Sequence, residues 1–122
     1  MKSTKAKVLH EVAGEPLVGH VLRALRDAGV DDVVVVVGHQ REKVTEYLQT
    51  AAPTARTAVQ EQMRGTGDAV RQAMPQVPSS ATTVMVLAGD TPLLTGATLR
   101  ELADRHAASG AAATILTARL DD

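Results

Sequence analysis

The chain has 122 residues, 44% hydrophobic and 22% charged, with a net charge of -1; this fits one globular domain, or a large piece of one, and leaves no room for a second core. The basic residues are scattered, which excludes the stripe that nucleic-acid binders use against phosphates, and the lack of cysteine excludes disulfides and thiolate metal centres and makes the cytoplasm the default compartment. No apolar run reaches the length of a membrane span, and Met1-Lys2-Ser3-Thr4-Lys5 leads into no signal-peptide core, so neither a membrane nor a nucleic acid is expected as a partner. Tyr47 is the only aromatic residue. The core must therefore be built from Val, Leu, Ala and Met.

Residues Glu15 to Gly29 place apolar side chains at 17, 18, 21, 22, 25 and 28 between Pro16 and Gly29, the pattern of an amphipathic helix with start and stop signals. Val33 to Val37 is a continuous apolar run, as in a strand covered on both faces. A second helix is predicted over Arg41 to Thr50 with Val44, Tyr47 and Leu48 inward, then a short strand near Thr57 to Gln60 and a polar loop from Glu61 to Gly67. Thr66 is placed to cap a helix through Asp68, Ala69, Val70, Ala73 and Met74, which Pro75 and Pro78 end. Thr82 to Leu87 reads as a third strand, Ala97 to Ser109 as a helix with Leu99, Leu102, Ala103 and His106 along one stripe, and Ala111 to Ala118 as a fourth strand. This alternation predicts an α/β fold: a Rossmann-like, doubly wound, mainly parallel sheet with helices on both faces.

In such sheets ligands bind at the carboxyl ends of the strands. Asp90, in Leu87-Ala88-Gly89-Asp90-Thr91-Pro92-Leu93-Leu94, follows an apolar run and so falls at that edge. It suits a hard cation beside a phosphate. The plainer reading is an aspartate that caps its own turn before Pro92. Lys7 by itself reads as a solvated lysine, and Gly65-Thr66-Gly67 as a helix start. His10, His20, His39 and His106 have no metal-ligand partners at useful spacing. Asp31-Asp32 and Asp121-Asp122 read as solvated loop charges.

Three stretches weigh against the plainer readings. Met1-Lys2-Ser3 with Lys7-Val8-Leu9-His10, then Gln60-Glu61-Gln62 with Gly65-Thr66-Gly67, then Leu87-Ala88-Gly89-Asp90-Thr91-Pro92-Leu93 resemble, in order and spacing, the uridyltransferase domain of bacterial N-acetylglucosamine-1-phosphate uridyltransferases. The resemblance covers essentially the whole chain. It implies a nucleotide-diphospho-sugar transferase fold and a reaction of UTP with N-acetylglucosamine 1-phosphate that yields UDP-N-acetylglucosamine and pyrophosphate. Residue by residue it implies Mg²⁺ on Asp90 with Gly89 beside it, Lys7 as a catalytic point charge on the phosphates, and a uracil pocket of Gln60, Gly65 and Thr66. Gln60 offers both an amide donor and a carbonyl acceptor to the mixed edge of uracil. Another sugar or cofactor nucleotidyltransferase, or a non-catalytic nucleotide-binding module, are the rival expectations.

The departures are informative. Met1 would be the last residue of the family's Gly-x-Gly-Thr-Arg-Met loop, whose other residues, along with the strand in the middle of its sheet, would precede it. The chain is therefore expected to be an incomplete domain over residues 1–122, inactive alone, with Val33–Val37 and Val84–Leu87 left as unpaired edges. Ala6 stands where the family usually has proline, Ala88 where an aromatic can occur, and Arg64 and Asp68 where Leu and His are typical. Enzymes of this kind often carry an acetyltransferase domain through which they form trimers.

Overall fold

The structure is a computed structural model that describes residues 7–38, 41–62, 64–89 and 93–113. Lys7–Leu9 forms one 3-10 turn. It is followed by a two-rung antiparallel hairpin of β1 (Glu11–Val12) and β2 (Glu15–Pro16). Ala13 and Gly14 join them, both with positive φ, as a two-residue hairpin turn requires. The sequence reading had no hairpin here, because two-residue strands are too short for a periodic signal.

Helix α1 (Leu17–Asp27) forms where the apolar spacing predicts it. It ends in a Schellman motif: Val30 N–H donates to Leu25 O and Gly29 N–H to Arg26 O. Strand β3 (Val34–Val37) pairs in parallel with β4 (Arg56–Val59), in register from Val34 with Arg56 to Val37 with Val59. The crossover between them is α2 (Arg41–Ala51), as parallel pairing demands. Val18 and Leu22 of α1, Val37 of β3, and Val44 and Leu48 of α2 make one buried cluster, with Val33, Val35 and Tyr47 at its margin. Side chains alternate along a strand, so Val34 and Val36 face the other way. Helix α3 (Thr66–Ala73) contacts both strands and supplies nothing to that first cluster, which sets it on the Val34–Val36 side.

Helix α4 (Gly96–Ser109) packs on α1 through a second cluster of Val21, Ala24, Leu25 and Leu99. Thr95 caps it, its Oγ1 accepting from Thr98 N–H at 3.1 Å. The predicted stripe is graded: Leu99 is buried, while Leu102, Ala103 and His106 are half-buried.

Four expectations need correction. Thr82 to Leu87 is not a strand: it has no ladder partner among the described residues, and a strand is defined by its neighbour. Burial alternates along it all the same: Met85 and Leu87 pack on the α1–α4 cluster while Val84 and Val86 are 47% and 55% exposed. Residues 111–113 are irregular after the left-handed Gly110, and the rest of the predicted fourth strand lies outside the described residues. Thr66 does not cap α3; Gly65 occupies the cap position, with φ +92° and ψ 177°, and Thr66 is the first helical residue. Asp32 is not simply solvated, because it pairs with Arg56 at the surface. Among the described residues, then, the parallel sheet has two strands, β3 and β4, with the small β1–β2 ladder separate.

Candidate functional site

Gln60 is the first residue beyond β4. Its N–H still donates to Val37 O at 2.8 Å, which continues the ladder by one bond and aims the following loop away from the C-terminal end of both strands. Gln60 is only 8% exposed and is the one buried polar side chain among the described residues. A buried amide must find partners. Its Nε2 donates to Gly65 O at 3.2 Å and to Asp68 Oδ2 at 3.0 Å.

The loop that returns to α3 is shaped by Gly65. With φ near +90° and ψ near 180° it sits in a region essentially restricted to glycine. That conformation turns its carbonyl so that it accepts from both Gln60 Nε2 and Ala69 N–H. Asp68 lies in the first turn of α3, where a carboxylate also complements the helix dipole. Beside this group opens a polar cavity of about 220 Å³ lined by Glu61, Gln62, Arg64, Asp68 and Gln72. Arg41, at the start of α2, pairs with Glu61 at 3.3 Å, and Arg64 donates to Gln62 Oε1. The larger cavity, about 460 Å³ and lined by Leu22, Val30, Val33 and Pro53 among others, opens at the opposite, N-terminal end of the strands.

The second half of the site is approached from the backbone. Val8 and Leu9, in the turn that begins at Lys7, pack on the cluster containing Val37. Gly89 in turn lies against Val8. The residues that flank Lys7 and Asp90 in sequence are thus seated together, against the cluster that α1, α2 and β3 share. Asp90 itself lies outside the described residues.

The fold therefore brings Gln60 against Gly65, with Thr66 opening α3 directly after it, and Val8 next to Gly89. Asp68 is the residue that sequence reasoning missed. Its available signal was an acidic side chain three residues after Gly65, in the first turn of a predicted helix. The expectation for Gln60 is also altered: both amide hydrogens are taken by protein acceptors, so the side chain does not present a mixed donor and acceptor edge.

His20 Nε2 lies 2.6 Å from Val12 O and joins α1 to the hairpin, a structural role as expected. Among the described residues no group of three His, Asp or Glu side chains could hold a metal ion. Among them, too, no helix is long and apolar enough to cross a membrane.

The family model for MobA-like NTP transferase domains matches residues 1–121. The chain is 53% identical over its full length to "Bifunctional protein GlmU" of Streptomyces coelicolor, 52% to that of Thermobifida fusca and 54% to that of Heliobacterium modesticaldum. It spans 26% of the length of each of these relatives. With a match over nearly every residue, the chain belongs to the family of MobA-like NTP transferase domains.

Proposed function

We propose that this chain forms the nucleotide-binding edge of a uridyltransferase that joins UTP to N-acetylglucosamine 1-phosphate. The observation that carries the reading is the buried Gln60 at the C-terminal strand edge, tied to Gly65, in the stretch where the chain resembles uridyltransferases. A phosphate oxygen of the sugar 1-phosphate attacks the α-phosphorus of UTP. The bond from that phosphorus to the bridging oxygen breaks, pyrophosphate leaves, and UDP-N-acetylglucosamine forms.

The protein's task in such a transfer is positioning and charge neutralisation. Gln60, Gly65 and Thr66 hold the base. Lys7 places a point charge on the phosphates, and Gly89 lets the backbone approach closely. Mg²⁺ fits the donor chemistry of Asp90, since that ion takes one or two carboxylates and completes its shell with water and phosphate oxygens. When bound, it neutralises charge on the phosphates. The reading further places these residues on a doubly wound sheet, in a cytoplasmic enzyme.

The test is nucleotide binding by equilibrium dialysis, with pyrophosphate release as the activity readout. Gln60→Ala is expected to weaken UTP binding by about tenfold, the value of one good hydrogen bond. Undiminished UTP affinity in that variant refutes the assignment. Preference for another nucleoside triphosphate would favour a different nucleotidyltransferase, and binding with no pyrophosphate release by the full-length protein would favour a non-catalytic module.

A further inference from the structure

We infer that Asp68 is a positioning residue that holds the Gln60 amide in one orientation, so that the site offers a ligand a lone hydrogen-bond acceptor and selects bases with a ring N–H donor. The inference rests on the uridyltransferase reading for the identity of the ligand. The orientation itself follows from hydrogen-bond chemistry.

A glutamine amide has two donors on nitrogen and one acceptor oxygen. At Gln60 the atom facing Gly65 and Asp68 meets a carbonyl oxygen at 3.2 Å and a carboxylate oxygen at 3.0 Å. Both are acceptors, and an ionised carboxylate can do nothing else. Turning the amide over would set Oε1 against two oxygens and lose both bonds, in a residue only 8% exposed, where water cannot compensate. Gly65 alone would bias the amide. Asp68 supplies a second acceptor, so that each amide hydrogen has a partner.

With both N–H groups engaged, Oε1 is the amide's remaining hydrogen-bonding atom. Uracil carries N3–H between two carbonyls and can donate to that oxygen. Cytosine presents an acceptor at N3 and meets it oxygen to lone pair. Discrimination of this kind arises from leaving a buried polar group unpaired with the wrong base.

Two variants separate positioning from the helix-dipole role that any first-turn carboxylate has. Asp68→Asn removes the charge but keeps an acceptor oxygen, whereas Asp68→Leu removes both. The first measurement is the ¹⁵N-resolved side-chain NH₂ pair of Gln60 in the nucleotide-free protein. Slow solvent exchange is expected in wild type and Asp68→Asn, and fast exchange in Asp68→Leu. The second is the ratio of UTP to CTP affinity by equilibrium dialysis, expected to be about tenfold or more in wild type. It should be largely kept in Asp68→Asn and collapse toward unity in Asp68→Leu.

If Asp68→Leu keeps both the ratio and the protected amide, positioning by Asp68 is wrong while the uridine reading stands. If Asn behaves like Leu in both measurements, the carboxylate acts through its charge and the inference is overturned. Wild-type protein that binds UTP no better than CTP removes the uridine reading and the base assignment with it; the amide exchange then still decides the orientation by itself.

Discussion

Gly89 rests directly on Val8: a methyl group at Gly89 would stand 3.1 Å from Val8 Cγ1. Distant parts of the chain meet here, the turn that begins at Lys7 and the residue that precedes Asp90. Gly89→Ala is expected to destabilise the protein by about 1 kcal/mol, within the usual cost of overpacking. Val8→Ala should relieve it. A double-mutant cycle by urea denaturation checks this, with a coupling of about 0.5 kcal/mol or more expected for residues in contact. Additive effects would show that the two segments do not press on each other.

Gly65 and Gly67 lie close together in one polar loop and helix start, and should respond in opposite ways to the same substitution. Neither position has a neighbour that an added methyl would strike. Gly65 has φ +92°, so Gly65→Ala should cost about 1–3 kcal/mol from backbone strain alone. It should also displace the carbonyl that Gln60 uses. Gly67 lies inside α3, where alanine is the better helix former by up to about 1 kcal/mol. Chemical denaturation of both variants tests the contrast, and equal losses would contradict it.

Gly96 opens α4 where it crosses the end of α1. A methyl there would come within 2.5 Å of Asp27 Cβ, 2.9 Å of the Asp27 carbonyl carbon and 3.0 Å of Ala28 N. Backbone atoms cannot swing aside. Gly96→Ala should therefore destabilise by about 1–3 kcal/mol net, despite a gain in helix propensity of about 1 kcal/mol. A rise in the urea midpoint would show instead that the α1–α4 contact is loose.

Tyr47 should ionise above the usual tyrosine value of about 10. Burial raises it first and the Glu15 carboxylate second, while Arg23 and Arg26 pull the other way. The folded state thus holds the phenol proton more tightly than the unfolded chain. That contribution to stability is complete below about pH 10 and is lost as pH rises through the folded value. Because no other aromatic residue is present, phenolate absorbance reports this group alone. A titration midpoint at or below the ordinary value would contradict the prediction, and Tyr47→Phe should flatten the alkaline loss of stability.

Helices α1, α2 and α4 were legible because each packs one apolar stripe inward, and such a stripe recurs with the helical period in any context. Val34–Val37 was legible as a continuous apolar run too short for a helix. Residues 83–88 show the limit: their apolar run is plain and Met85 and Leu87 are inward, yet no ladder forms among the described residues. An apolar run reports burial, whereas a strand needs a partner that the segment does not itself encode.

The candidate site divides in the same way. Position after an apolar run pointed by itself only to Asp90; the resemblance to uridyltransferases, carried by three short stretches, singled out Gln60, Gly65, Thr66, Gly89 and Lys7 beside it. Only tertiary structure decided that Gln60 is buried, that its two amide hydrogens go to Gly65 and Asp68, and that Val8 seats Gly89. Those are facts of orientation. A side chain's donors and acceptors are written in its chemistry, but which of them remain available to a ligand depends on what the fold has already bonded.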